Sequence, residues 1–221
     1  MARGASSFAR QDPTAQATAD DAGDVRSHPW PRWLRSACEK GDTDAARLCL
    51  DRGDEVDQTD EHESSTPLHA AARYGHVDTA RLLLDRGADV EWQEMWGWTP
   101  LMAACHCGYL SVAELLLDRG AAVDRTRPDG AAALYISCQK GHIDTARVCL
   151  DHGADVNRAC VGRLALTPLF IACSDVDVAK LLLDRGADVD PSDPTPLYIE
   201  IRRGTTVHST RRQRRPCRPC E

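Results

Sequence analysis

The sequence is poor in aromatic residues and has no long apolar run. Of its 221 residues only 5% are aromatic, and Phe occurs twice, although hydrophobic residues make up 42%. A core must therefore be built from Leu, Ala, Val and Cys. No stretch of about 18 apolar residues is present, so we expect no membrane-spanning helix. The start of the chain leads into no apolar segment, so we also expect no secretory signal.

The charge is unevenly distributed along the chain. The net charge is −7, yet residues 202–221 carry seven Arg and one Glu, which leaves −13 for residues 1–201. An acidic body repels phosphate backbones, and this disfavours nucleic-acid binding through most of the chain. The loop signatures G-x-x-x-x-G-K-S/T and G-x-G-x-x-G, which cradle phosphates, are both absent. We expect no cofactor and no enzymatic activity.

Two short segments recur at a fixed step. Residues 82–90 read LLLDRGADV, and related segments cover 115–123, 148–156 and 181–189, so that successive glycines stand 33 residues apart. A second mark, Thr66-Pro67-Leu68, returns in the same or degenerate form at 99–101, 132–134, 167–169 and 195–197. The two marks keep nearly the same step, and this indicates a tandem array.

Each mark has a physical role in a helical unit. Thr66 supplies a capping oxygen at a helix start, and Pro67 has no N–H to lose at the first helical position. The pattern predicts a first helix over 68–73 that ends near Gly75, and a second helix over 79–85 that Gly87 stops. The polar segment before the next Thr predicts a projecting hairpin loop.

The best copy, Thr66-Pro67-Leu68-His69-Ala70-Ala71 through Leu84-Asp85-Arg86-Gly87-Ala88-Asp89-Val90, resembles the ankyrin-repeat family. The resemblance implies an all-α solenoid of stacked helix-turn-helix units with projecting hairpin loops and a concave protein-binding face. We expect a disordered segment at 1–29, an array at 30–204 and a basic, Arg-rich disordered tail at 205–221. The predicted copies are 30–64, 65–97, 98–130, 131–165, 166–194 and a partial 195–204.

The strongest functional candidate is aromatic. Trp92, Trp96 and Trp98, with Met95, place three of the five Trp within seven residues of one hairpin loop. Exposed aromatics are enriched in binding hot spots, so we predict that this loop contacts a partner. The alternative is that Trp98 packs on the neighbouring loop and Trp92 covers a helix end. The predicted surface also includes four residues that follow the marker leucines: Arg73, Tyr74, His106 and Gln139. Arg125 and Arg127 in the next loop add positive charge, so the surface would suit a partner with an acidic flank.

Cysteine, histidine and charged residues that invite a chemical interpretation recur at fixed repeat positions. Cys38, Cys105 and Cys138 each lie four residues after a marker Leu, and we predict that they are small buried hydrophobes rather than disulfide partners or metal ligands. By the family pattern His69, His76 and His142 bond to backbone. The recurring Asp-Arg dipeptides are predicted to be solvated helix-end charges.

The function expected from the resemblance is a non-enzymatic scaffold or adaptor that binds a protein partner on the concave face. The alternative is a substrate-recruiting subunit of a ubiquitin ligase, a transcriptional regulator, or the ankyrin fragment of a larger multidomain protein. We expect a cytoplasmic monomer, with a nuclear location as the alternative offered by the Arg-rich tail. The sixth copy stops halfway, so truncation of the chain also stays open, as does the role of the Cys217/Cys220 pair.

Overall fold

The computed structural model describes residues 31–59, 64–161, 166–172 and 175–189, and within these ranges the secondary structure is helical. The ten helices are α1 (Pro31–Lys40), α2 (Thr43–Asp51), α3 (Pro67–Tyr74), α4 (Val77–Asp85), α5 (Pro100–Cys107), α6 (Leu110–Asp118), α7 (Ala133–Lys140), α8 (Ile143–Asp151), α9 (Pro168–Ile171) and α10 (Val176–Asp184). They form five consecutive helix pairs, which confirms the predicted units. The predicted terminal segments, the partial sixth copy and Cys217/Cys220 lie outside the described residues.

The first helices of the second and third units, α3 and α5, begin and end as the two sequence marks predict. Thr66 accepts a hydrogen bond from the backbone N–H of His69, three residues on, and Thr99 does the same for Met102. The same two helices end at Gly75 and Gly108, whose φ angles of 80° and 79° lie in the left-handed region. That region is costly for residues with a Cβ, so glycine ends the helix there.

The helix pairs stack into a solenoid. First helices pack against first helices of neighbouring units, and second helices against second helices. Fully buried side chains recur at the marker position and four residues before the terminal glycine, as in Leu68 and Leu83. No helix in the described ranges is both long enough and apolar enough to cross a membrane.

Polar contacts join each repeat to the next one. Three of the Asp-Arg dipeptides use their Arg to reach the Asp at the equivalent position of the preceding repeat. Arg86 Nη1 lies 2.9 Å from Asp51 Oδ1, Arg119 Nη1 2.9 Å from Asp85 Oδ1, and Arg185 Nη1 2.8 Å from Asp151 Oδ1. These pairs are partly exposed and contribute a few tenths of a kcal/mol each, by order of magnitude. They align successive second helices.

Candidate functional site

The hairpin between the second and third helix pairs carries the predicted Trp cluster. Glu94 N donates to Trp98 O at 3.0 Å and Gly97 N donates to Glu94 O at 2.7 Å, which closes a tight turn. The two residues at the tip, Met95 and Trp96, are 59% and 66% exposed. Such exposure is uncommon for large apolar side chains, so these two residues form an apolar tip that is open to contact.

The other two tryptophans of the cluster hold the hairpin in place. Trp92 is half-buried, and its Nε1 donates to the carbonyl of Ser64 at 3.0 Å. Trp98 is also half-buried and packs edge-on against His106, with ring centroids 5.2 Å apart. Arg127 from the next hairpin lies over the face of Trp98, with Cζ 4.7 Å from the ring centroid. Trp98 thus packs on the neighbouring hairpin, as the alternative interpretation has it.

The ring of His106 is neutral in this setting. Burial, the largest cause, and the nearby basic side chains of Lys140, His142, Arg73 and Arg127 together lower its pKa to about 4. A neutral imidazole can pack against the indole of Trp98 without being solvated as a cation. His106 therefore belongs to the packed base of the surface rather than to its exposed part.

The positive patch that the sequence predicts is paired within the array. Arg73 Nη2 lies 3.4 Å from Oε2 of the buried Glu94. Arg125 Nη1 lies 3.9 Å from Glu91 Oε2. The suitability of this patch for an acidic flank stays a prediction, but two carboxylates of the Trp hairpin, Glu91 and Glu94, already sit beside these arginines.

Arg127 is paired as well, with Asp129 two residues further on. With this third pair, each of the three predicted arginines has a carboxylate partner inside the array. A partner's carboxylate would have to compete with partners already in place. The apolar tip, rather than the arginines, is the part of the surface with contact area to offer.

The remaining predicted residues lie on the first helices. Tyr74 is half-buried, and its ring stacks with that of His76 at a centroid distance of 6.4 Å. Gln139 is exposed at the end of α7. Sequence reasoning missed Val161, which is 77% exposed in the hairpin two repeats beyond Trp96. The sequence feature that could have indicated this exposed residue is the longer loop between the fourth and fifth helix pairs.

The three histidines that could suggest catalysis bond to backbone, as the family pattern predicts. His69 Nε2 donates to Trp98 O at 3.0 Å, and the Thr66 hydroxyl lies 2.8 Å from His69 Nδ1. His76 Nε2 donates to the carbonyl of Glu39 at 3.0 Å, and His142 Nε2 to that of His106 at 3.1 Å. Their ring nitrogens join neighbouring repeats.

The cysteines are buried as predicted, but one contact was not foreseen. Cys38, Cys105 and Cys138 are at most 2% exposed, and burial raises the pKa of Cys38 and Cys138 to about 12. Cys105 Sγ lies 3.7 Å from Cys149 Sγ in the next repeat. These two residues occupy non-equivalent positions of their repeats, so the recurrence of cysteine at one position does not indicate their contact. No group of three or more His, Cys, Asp or Glu within the described residues could hold a metal ion.

Comparison with known proteins agrees with this geometry. A family model described as ankyrin repeats matches the chain in three copies, over residues 34–127 and 119–193. These two ranges span the described helix pairs from the marker Leu34 to the end of the fifth pair. A search of curated proteins found no match.

Proposed function

The chain belongs to the ankyrin-repeat family, and from that premise we propose that it is a non-enzymatic scaffold or adaptor that binds a protein partner. Ankyrin repeats are generally protein–protein interaction modules. The proposed surface is the concave face formed by the hairpins and the exposed parts of the first helices. The observation that carries the proposal is the exposure of Trp96, at 66%, beside Met95.

The physical argument for this surface is preorganisation. The Met95–Trp96 tip stands on a hairpin whose base is fixed by Trp92, Trp98 and the cation of Arg127. A loop backbone that is already held in place loses little conformational entropy on binding. Trp is also the residue type most enriched among those whose truncation costs at least about 2 kcal/mol of binding free energy.

The test compares quantitative affinity capture by the wild-type chain with capture by a Met95→Ala/Trp96→Ala variant. Because both side chains are exposed, we expect unfolding free energy to change by at most about 0.5 kcal/mol for each substitution. We expect partners recovered reproducibly with the wild type to fall by about tenfold or more with the double variant.

Leu48→Ala is the matched control, since Leu48 is 57% exposed but lies on α2, a second helix outside the proposed surface. The control should leave capture unchanged and thereby exclude a general effect of removing an exposed apolar side chain. Recovery of the same partners at the same level with the Met95→Ala/Trp96→Ala variant would refute the proposed surface.

A further inference from the structure

One junction between repeats brings two thiols into contact. Cys105, on the first helix of the third helix pair, has its Sγ 3.7 Å from the Sγ of Cys149, on the second helix of the fourth pair. Both side chains are 0% exposed. A disulfide holds its two sulfurs at about 2.05 Å, so each sulfur would move by less than about 1 Å to form that bond. The two thiols therefore lie close to bonding distance inside the core.

The pairing of two cysteines is particular to this junction of the array. The first position lies four residues after the marker Leu, and the second lies four residues before the terminal glycine of the following repeat. At the three other junctions between the described helix pairs these two positions hold Cys38 and Leu83, Ala72 and Leu116, and Cys138 and Leu182. Cysteine thus occupies both positions only where the third described pair meets the fourth.

A bond between these two positions would link the two layers of the solenoid. First helices pack on first helices of neighbouring repeats, and second helices pack on second helices. The bond would instead run diagonally, from α5 in one layer to α8 in the other. It would join residues 44 positions apart in the sequence. A cross-link that closes so long a loop restricts the unfolded chain and thereby stabilises the folded one.

The buried setting favours a disulfide over the other products that two thiols can form. A sulfinic acid, or a monovalent metal ion held by two thiolates, would place a net negative charge in the core, where an unpaired charge is costly. A disulfide is neutral and needs no hydrogen-bond partner. The hydrogen bond from Cys149, the largest cause, lowers the pKa of Cys105, and the same bond raises the pKa of Cys149. Cys105 is therefore the thiol that ionises first.

We propose that Cys105 and Cys149 form an oxidative modification site, at which hydrogen peroxide converts the two thiols into a disulfide that staples the third repeat to the fourth. In the first step the Cys105 sulfur attacks a peroxide oxygen, which gives a sulfenic acid and one water. In the second step the Cys149 sulfur displaces the sulfenic oxygen as a second water and forms the S–S bond. The two thiols lose two protons and two electrons, and the peroxide takes up both.

Burial determines when this reaction occurs. Solvent does not reach either sulfur in the closed array, because both side chains are fully buried. Peroxide therefore reacts in molecules whose third and fourth repeats have separated transiently, and the disulfide forms as the repeats close again. Oxidation of the folded chain should accordingly be slow, and urea concentrations below the unfolding transition should accelerate it by about threefold or more.

The test treats the reduced full-length chain with hydrogen peroxide, blocks the remaining thiols after denaturation, and maps cross-links by mass spectrometry without reduction. A peptide pair that joins Cys105 to Cys149 should be the main cross-link within one chain. Cys107→Ser is the matched control on the same helix, and it should leave this cross-link in place. Cys105→Ala should abolish the cross-link, and Ala suits the position because Ala72 fills it in the second repeat. Cys149→Ser serves the same purpose if Cys105→Ala does not fold.

Thermal unfolding shows whether the bond staples the array. The oxidised wild type should unfold about 5–10 °C above the reduced wild type, and dithiothreitol should reverse this shift. Three results would overturn the proposal: the absence of the Cys105–Cys149 cross-link, a main cross-link from either cysteine to Cys138, or a Cys105–Cys149 cross-link that leaves the unfolding temperature unchanged or lowers it. Because the variants leave Met95 and Trp96 intact, failure here is distinct from failure of the proposed scaffold function.

Discussion

Lowering the pH should destabilise the array through the buried histidine His69. This side chain is 0% exposed and joins two repeats, because its Nε2 donates to Trp98 O while its Nδ1 lies 2.8 Å from the hydroxyl of Thr66. Protonation would place a second N–H at Nδ1 and a positive charge in the core. Burial, the largest cause, lowers the pKa of His69 to about 4 from the usual 6.5, and the hydrogen bond to Trp98 opposes part of that shift.

The sign and size of the effect follow from proton linkage. The unfolded chain takes up a proton on His69 near pH 6.5, whereas the folded chain does so only near pH 4. Stability from this group is therefore fully present above the unfolded pKa, falls as the pH drops through the window between the two values, and levels off below the folded pKa. Between pH ~7.5 and pH ~4.5 the loss is about 2.5 kcal/mol.

The assay is urea unfolding of the wild type and His69→Gln across this pH range. Gln does not titrate, and the carboxylates common to both chains cancel in the difference of their unfolding free energies. At pH ~7.5 the variant should be less stable by about 2–4 kcal/mol, because it loses packing and a buried hydrogen bond. The difference should shrink by about 2.5 kcal/mol at pH ~4.5.

A control separates titration from simple destabilisation. Leu68 is the buried neighbour of His69, so Leu68→Ala should cost about 2–5 kcal/mol by creating a cavity, at either pH. The reasoning would be refuted if the difference in unfolding free energy between the wild type and His69→Gln stayed constant with pH, as we expect for Leu68→Ala.

Three further substitutions test the packing. Gly97 has a φ of 75°, and a Cβ added to it would lie 2.6 Å from Pro128 Cδ, so Gly97→Ala should cost about 2–4 kcal/mol in urea unfolding. Gly87→Ala, with a φ of 87° but nothing within 4 Å of the added Cβ, should cost only the backbone strain of about 1–2 kcal/mol, and equal losses would refute the clash. Cys149→Leu should raise the unfolding free energy by about 1 kcal/mol, since Leu fills the equivalent fully buried position of the neighbouring repeats. Thermal unfolding measures this change. If the variant unfolds at a lower temperature than the wild type, Cys105 leaves no room for the larger side chain.

Local sequence signals predicted the helices well because they act over three or four residues. The cap of Thr66 bonds three residues ahead, and the left-handed glycine Gly75 ends the same helix. These interactions need nothing from distant parts of the chain. The burial of Leu68 and Cys105 was also predictable, because repetition at one position of an amphipathic unit indicates the face that packs.

The candidate surface was predicted only in part. Composition identified the hairpin with its tryptophans, but it could not say which of them are exposed. Trp92 and Trp98 are held by contacts to Ser64 and Arg127, in different loops, and only Trp96 remains at the tip. The ion pair of Arg73 was not predicted either, because its partner, the buried Glu94, lies 21 residues further on.

The sequence by itself determined the repeat, the helix pairs and the buried positions, since each depends on short-range bonds and a 33-residue period. Only the tertiary structure decided how one repeat meets the next: the bond from His69 to the Trp98 carbonyl and the thiol contact of Cys105 with Cys149. These features join residues about one repeat apart, and sometimes non-equivalent positions. They are set by the distance and orientation between stacked helices, which no local pattern in the chain encodes.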